Sequence, residues 1–190
     1  MLLTVVKYGT PVLRQKGGRV GEVTPAIQQL IPDMLETMYA SKGIGLAAQQ
    51  VGVALQVTVI DVRGVTDRPS SLELKGQPAD VSKFMPLMLI NPEVKPVSGT
   101  PEATGPEGCL SFPEIFADIT RPDVVDVKAL DRRGRPIEFR CSGLLARVVQ
   151  HETDHLHGIL FIDRMDKQTK EQLRSDLELL QAETKAQLKK

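Results

Sequence analysis

The residues best suited to chemistry in this 190-residue chain are His151, Glu152 and His155, within the run His151-Glu152-Thr153-Asp154-His155. In an α-helix, at about 100° per residue, positions four apart lie about 40° apart and one turn along the axis. Both imidazoles can therefore reach one ion. Glu152 lies about 60° round from His155, beside such an ion but not forced to ligate it. A general base must sit there to take a proton from water that a metal activates. Leu144, Leu145, Val148 and Val149 precede the motif and make its helix strongly apolar, hence buried. Two histidines and two carboxylates on a buried helix would be costly without compensation, and a metal supplies it. The remaining histidine, His157, falls well off the ligand face.

Two imidazoles do not complete a site, because catalytic zinc-type centres use three protein ligands and leave one position open. Downstream there is no further histidine pattern, and Glu171 and Glu178 lie on a charged, solvated helix. Upstream stands Glu107-Gly108-Cys109-Leu110-Ser111, where a cysteine in an irregular segment beside a strand is well placed to present sulfur. A metal would keep that thiol deprotonated, so Cys109, His151 and His155 form a sensible set. Cys141, in the strand-like stretch from Pro136 to Cys141, reads as a small core residue.

The elements that must position these residues follow from periodicity. Thr24 caps and Pro25 starts a helix reaching Ala40, with Ile27, Leu30, Ile31, Met34, Leu35 and Met38 on one face. Pro32 lies inside it and predicts a kink or a broken first turn. Gly43 to Gly52 is dense in small residues, which suits a backbone that something approaches closely. On its own this run reads as a tight connection between helix and strand; it lacks the Gly-Lys-Ser/Thr of a phosphate loop. Strands are expected at Gln56 to Val62, Pro86 to Asn91, Val94 to Val97, Ile115 to Thr120, Val124 to Leu130 and Pro136 to Cys141. Arg63 to Met85, without clear period, reads as an exposed excursion. Helices from Gly143 to His157, stopped by Gly158, and from Lys167 to Leu188 close the chain. Short strands without intervening helices imply an α+β domain of antiparallel sheets around the motif helix. Residues 1 to 166 would form the catalytic part, and 167 to 190 a helix of the same domain.

Composition narrows the function classes. Lys plus Arg and Asp plus Glu are 24 each, which gives no basis for sequence-specific nucleic-acid or anionic-membrane binding. No apolar run approaches the length of a membrane span, and the first residues lack a secretory or transit pattern. The expected location is the cytoplasm.

Three motifs then occur in an order that resembles the peptide deformylases: Gly43-Ile44-Gly45-Leu46-Ala47-Ala48-Gln49-Gln50, Glu107-Gly108-Cys109-Leu110-Ser111, and Gln150-His151-Glu152-Thr153-Asp154-His155. The opening Tyr8-Gly9-Thr10-Pro11-Val12-Leu13-Arg14 is similar as well, so the likeness spans about Val5 to Arg164. The resemblance implies removal of the formyl group from formylmethionyl nascent polypeptides, with Glu152 as general acid–base. It implies that the Gln50 amide and the Leu110 backbone N–H donate to the developing oxyanion. The backbone near Ile44, Gly45 and Gly108 would pair with an extended substrate. It further implies ferrous iron as the one divalent ion per chain, although the ligands also accept zinc, nickel or cobalt.

Leu144 and Val148 share the His151 face of the helix and, with Ile44, are candidates for an apolar slot taking a methionine side chain. Arg147, one step round, would border its mouth. Glu107 and Asp154 are candidate carboxylates for orienting a ligand histidine. The rival readings are a metallopeptidase of the same chemistry cutting internal bonds, and a non-catalytic protein with a structural metal. The lysine-bearing C-terminal helix is a candidate ribosome-docking element.

Overall fold

The computed structural model describes residues 1–190. Helix α1 (Pro25–Ala40) begins as the sequence requires, with Pro25 at its first position and the Thr24 hydroxyl accepting from the Ile27 N–H at 3.4 Å. Its first turn is not broken at Pro32; the helix runs through that residue because Ile27, Ile31, Met34 and Met38 are buried along its length. Tertiary burial outweighs the lost hydrogen bond.

Nine strands follow: β1 (Gly45–Ala47), β2 (Val57–Ile60), β3 (Ser70–Leu74), β4 (Gln77–Ala79), β5 (Leu87–Pro96), β6 (Glu102–Cys109), β7 (Phe112–Pro122), β8 (Val124–Leu130) and β9 (Pro136–Gly143). Seven form one sheet in the order β1-β2-β5-β8-β9-β3-β4, and β6 with β7 form a separate two-stranded ribbon. Every ladder is antiparallel. β1 is thus an edge of the larger sheet, and β6 leaves its outer edge unpaired.

Three expectations about the strands need correcting. The two strands read at Pro86 to Asn91 and Val94 to Val97 are one strand, with a register shift between Ile90 and Glu93. Asn91, at φ 51°, makes the bulge and exchanges hydrogen bonds with the Val20 backbone at 2.8 Å. Second, Glu102–Cys109 is a strand where an irregular segment was expected; its glycine and proline weaken the period that would reveal it.

Third, Arg63 to Met85 contains β3, β4 and a short helix α2 (Val81–Phe84), and it is not merely an exposed excursion. β3 pairs with β9, and Leu72 and Met85 enter the core. The segment also caps the motif helix α3 (Leu144–Leu156), whose own preceding residue is a glycine. The Leu144 N–H donates to the Pro69 carbonyl at 2.9 Å, and the Leu145 N–H to the Ser70 hydroxyl at 3.0 Å. Gly143 at φ 69° turns the chain into α3, where a Cβ would collide with the Pro69 carbonyl.

Helix α3 lies centrally. Leu145, Val148 and Val149 pack on the large sheet with Ile60, Leu89, Val125, Val127 and Phe139. A second apolar cluster joins α1 to β2, and a third joins the ribbon residues Phe112, Ile115 and Ile119 to Leu13, Phe161 and Leu177. The terminal helix is two pieces, α4 (Lys167–Gln172) and α5 (Arg174–Gln187), separated at Leu173. The second piece buries only Leu177 and Thr184, in keeping with its narrow leucine stripe. No helix is long and apolar enough to cross a membrane.

Candidate metal centre and substrate cleft

Helix α3 carries His151 and His155 one turn apart, and the ribbon brings Cys109 to them at the end of β6. One donor atom from each of the three residues lies within 4.8 Å of the others. Cys109 Sγ is 3.4 Å from His155 Nε2, and the two imidazole centroids are 5.2 Å apart. Both histidines are buried, and the sulfur is half-buried. His157 turns away, its Nδ1 facing the Thr153 carbonyl at 2.9 Å.

The charges around the three donors are arranged asymmetrically. Glu107 Oε1 meets His151 Nδ1 at 2.8 Å, and its carboxylate accepts from Arg121 at 2.7 and 3.0 Å and from Arg147 at 2.7 Å. Burial opposes ionisation of Glu107, but the hydrogen bonds from His151 and Arg121 outweigh it and hold its pKa far below the carboxylate range. Burial likewise opposes a charge on His151, yet Cys109 and Glu107 hold its pKa well above the imidazole value. His155 moves the other way, because burial and the neighbouring His151 both disfavour its cation.

Glu152 is buried, with one carboxylate oxygen lacking any hydrogen-bond partner, and His155 Nδ1 is also unpartnered. Burial pushes the Glu152 carboxyl up to about 7. A β-carbon on Gly45 would collide with the Glu152 carboxylate, so this glycine is what allows the close approach. Two buried imidazoles and a thiol turned to one point, beside an uncompensated carboxyl, fit a divalent transition metal.

A cleft of about 550 Å³ opens onto these residues. Ile44, Gly45, Gln50, Gly108, Leu110, Leu144, Arg147 and Val148 all line it. The Gln50 amide is fixed end to end: its oxygen accepts from the Ala47 N–H at 2.9 Å, which leaves its nitrogen facing Cys109 Sγ at 3.4 Å and Ser111 Oγ at 3.3 Å. Arg147 lines the cleft, with its guanidinium turned toward the ribbon. It is buried, and besides Glu107 it donates to the Ile119 and Ala103 carbonyls, each at 2.7 Å. Asp154 reaches neither ligand histidine; its carboxylate meets Arg121 at 2.9 Å and Arg164 at 2.8 Å. Around α3, Asp154 lies about 60° from His151 and about 100° from His155, so its carboxylate points off the face the two histidines share and toward these guanidiniums.

Arg121, which joins Glu107 to Asp154, had escaped notice in the sequence. Its signal was parity: Ile115, Ala117 and Ile119 alternate inward along β7, so Arg121 falls on the buried side, where a charge needs a partner. Phe116 shows the converse, an aromatic on the outward parity, and it is exposed at the cleft wall.

An α3 that carries two of three convergent donors between an antiparallel sheet and a ribbon, beside a buried carboxyl, suits metal-assisted hydrolysis within an α+β architecture. The family model for polypeptide deformylase matches residues 2–171. The chain belongs to the peptide deformylase family. It is 43% identical to a peptide deformylase of Opitutus terrae over 100% of this chain and 98% of that one. It is 45% identical to one of Methylacidiphilum infernorum, over 94% and 92% of the two chains. Among solved structures, a peptide deformylase from Legionella pneumophila superposes with a TM-score of 0.77 at 34% identity, covering 100% of this chain and 99% of that one. The one from Synechococcus elongatus in complex with actinonin superposes with a TM-score of 0.74 at 37% identity, covering 96% and 85%.

Proposed function

We propose that Cys109, His151 and His155 hold one divalent cation, and that the chain uses it to remove the N-terminal formyl group from formylmethionyl nascent polypeptides. Family membership carries the activity, and the convergence of three donors within 4.8 Å carries the site. When bound, the cation supplies Lewis-acid polarisation and makes water a nucleophile near neutral pH.

The chain's own residues do the rest. Glu152, raised to about 7, takes a proton from the attacking water and returns it to the departing amine as the carbon–nitrogen bond breaks and formate leaves. The Gln50 amide nitrogen and the Leu110 N–H donate to the oxygen that becomes negative. The peptide lies extended between the free edges of β1 and β6, along Ile44, Gly45 and Gly108. Leu144, Val148 and Ile44 take the methionine side chain. Glu107 holds His151, while Arg147, Arg121 and Asp154 hold Glu107 and its surroundings.

Formate release from formyl-Met peptides, with acetyl-Met peptides and an intact protein compared in parallel, tests this reading. Rapid formate release without internal cleavage is expected, and cleavage of internal bonds would replace it with the peptidase reading.

We assign ferrous iron as the physiological ion on the family resemblance; the same donors accept zinc, nickel or cobalt. Anaerobic purification with metal analysis checks the assignment, with an active zinc form and no iron as the contrary result. We place the catalytic unit at residues 1–166 in the cytoplasm. Residues 167–190 form a helical appendage whose exposed Leu179 and Leu188, with Lys185, Lys189 and Lys190, suit ribosome docking. Removing the appendage would uncover the cluster around Leu177, so Leu179→Glu is the cleaner probe. Unchanged co-sedimentation with ribosomes would count against docking.

A further inference from the structure

Val6, Lys7 and Tyr8 join two parts of the site that no strand ladder connects. Gln50 belongs to the turn after β1, at the edge of the large sheet, whereas Leu110 and Ser111 are the two-residue tip of the β6–β7 ribbon, between the paired Cys109 and Phe112. The ribbon register shifts between Gly108 and Cys109, so the ladder is irregular where it leads into the tip. Across the gap, the Val6 N–H donates to the Gln50 carbonyl at 2.9 Å, and the Tyr8 N–H donates to the Ser111 carbonyl at 2.9 Å. Between them the Lys7 ammonium donates to the Leu110 carbonyl at 2.9 Å. The Tyr8 ring stacks on Phe112 with centroids 4.8 Å apart, which anchors the strap beside the tip.

Of these three hydrogen bonds, only the one from Lys7 comes from a side chain, and it acts on the peptide next to the Leu110 N–H. Lys7 is half-buried and lines the cleft, where a hydrogen bond from a charged donor is stronger than a neutral one. We infer that Lys7 is a positioning residue for deformylation: it fixes the Leu110–Ser111 peptide, and with it the separation of the two oxyanion donors. The inference rests on the reading of Gln50 and the Leu110 N–H as those donors. Small displacements of such groups are costly, since about 1 Å of misplacement can slow a reaction about a hundredfold.

The test compares Lys7→Met, Lys7→Arg and Gln50→Ala with the parent chain, each with its metal content and Tm measured, in formate release from a formyl-Met peptide. Lys7→Met keeps the stem and both backbone links of the strap, so kcat should fall about tenfold while KM stays within about twofold. Lys7→Arg should recover most of the loss. The inference is overturned if Lys7→Met keeps the parental kcat while Gln50→Ala is slow. It is equally overturned if KM alone rises, if arginine gives no rescue, or if the loss merely follows metal content or Tm. A fully active Gln50→Ala would remove the oxyanion reading itself, and the role of Lys7 with it.

Discussion

Helix α3 is held by two regions of opposite chemistry. Toward the large sheet it is packed by area: Leu145 and Val149 are fully buried among aliphatic side chains. Toward the ribbon it is held by ions: Arg147, His151 and Asp154 engage Glu107 and Arg121, and Glu107 and Arg121 are both buried. Apolar packing is non-directional and fixes where the helix lies. Charge-assisted hydrogen bonds are directional and fix how individual side chains point. The first region should therefore govern stability, and the second should govern both stability and the metal.

The largest expected effect lies between the two regions, at the carboxyl neither of them satisfies. Glu152→Gln should lower kcat about a thousandfold with metal retained and Tm nearly unchanged, since it removes only a proton-transfer group. Parental turnover in this variant would show that the carboxyl takes no part. Next comes Glu107→Ala, which leaves two buried guanidiniums without their shared partner. It should cost about 3–5 kcal/mol in chemical denaturation. Metal affinity should also fall about 10–100-fold, read by competition with a chelator. Were stability to drop with metal affinity intact, the ionic region would be structural alone.

Leu145→Ala probes the other region. It should cost about 2–5 kcal/mol of stability. Turnover per folded, metal-loaded molecule should stay within about twofold, and a selective loss of kcat would erase the contrast between the two regions.

The smallest effect should come from the exposed counterpart of the buried ions, Arg14 with Asp163 at 2.5 Å. Burial acts to raise the Asp163 pKa, but the hydrogen bonds from Arg14 and the Leu160 N–H win and lower it. A carboxyl lowered in the folded state contributes stability above its unfolded pKa and loses it as pH falls through the folded value. Asp163→Asn should therefore cost under about 1 kcal/mol at neutral pH and flatten the acid limb of the stability curve. A steeper acid limb in the variant would reverse the sign.

The sequence made some elements legible and hid others for physical reasons. Helices α1 and α3 stood out because a period near 3.6 with caps is a local property. β5 was broken in two because Asn91 makes a bulge, which depends on its exchange with Val20, a residue 71 positions away. The hairpin inside Arg63 to Met85 was missed because Leu72 alone in β3 is buried, so that its alternation was too short to see. Arg121 and Lys7 were missed because each acts through partners distant in the chain: Glu107, and the Leu110 carbonyl 103 residues on.

By itself, the sequence determined which side chains are available for metal chemistry. Two histidines one helical turn apart with an intervening glutamate form a local pattern, and its geometry follows from the helix repeat. Only the tertiary structure decided that the sulfur of Cys109 meets them, that Glu107 takes His151 while Asp154 goes to arginines, and that Gly45 makes room for Glu152. Those outcomes depend on which segments pack together across long sequence separations, and no local period encodes that.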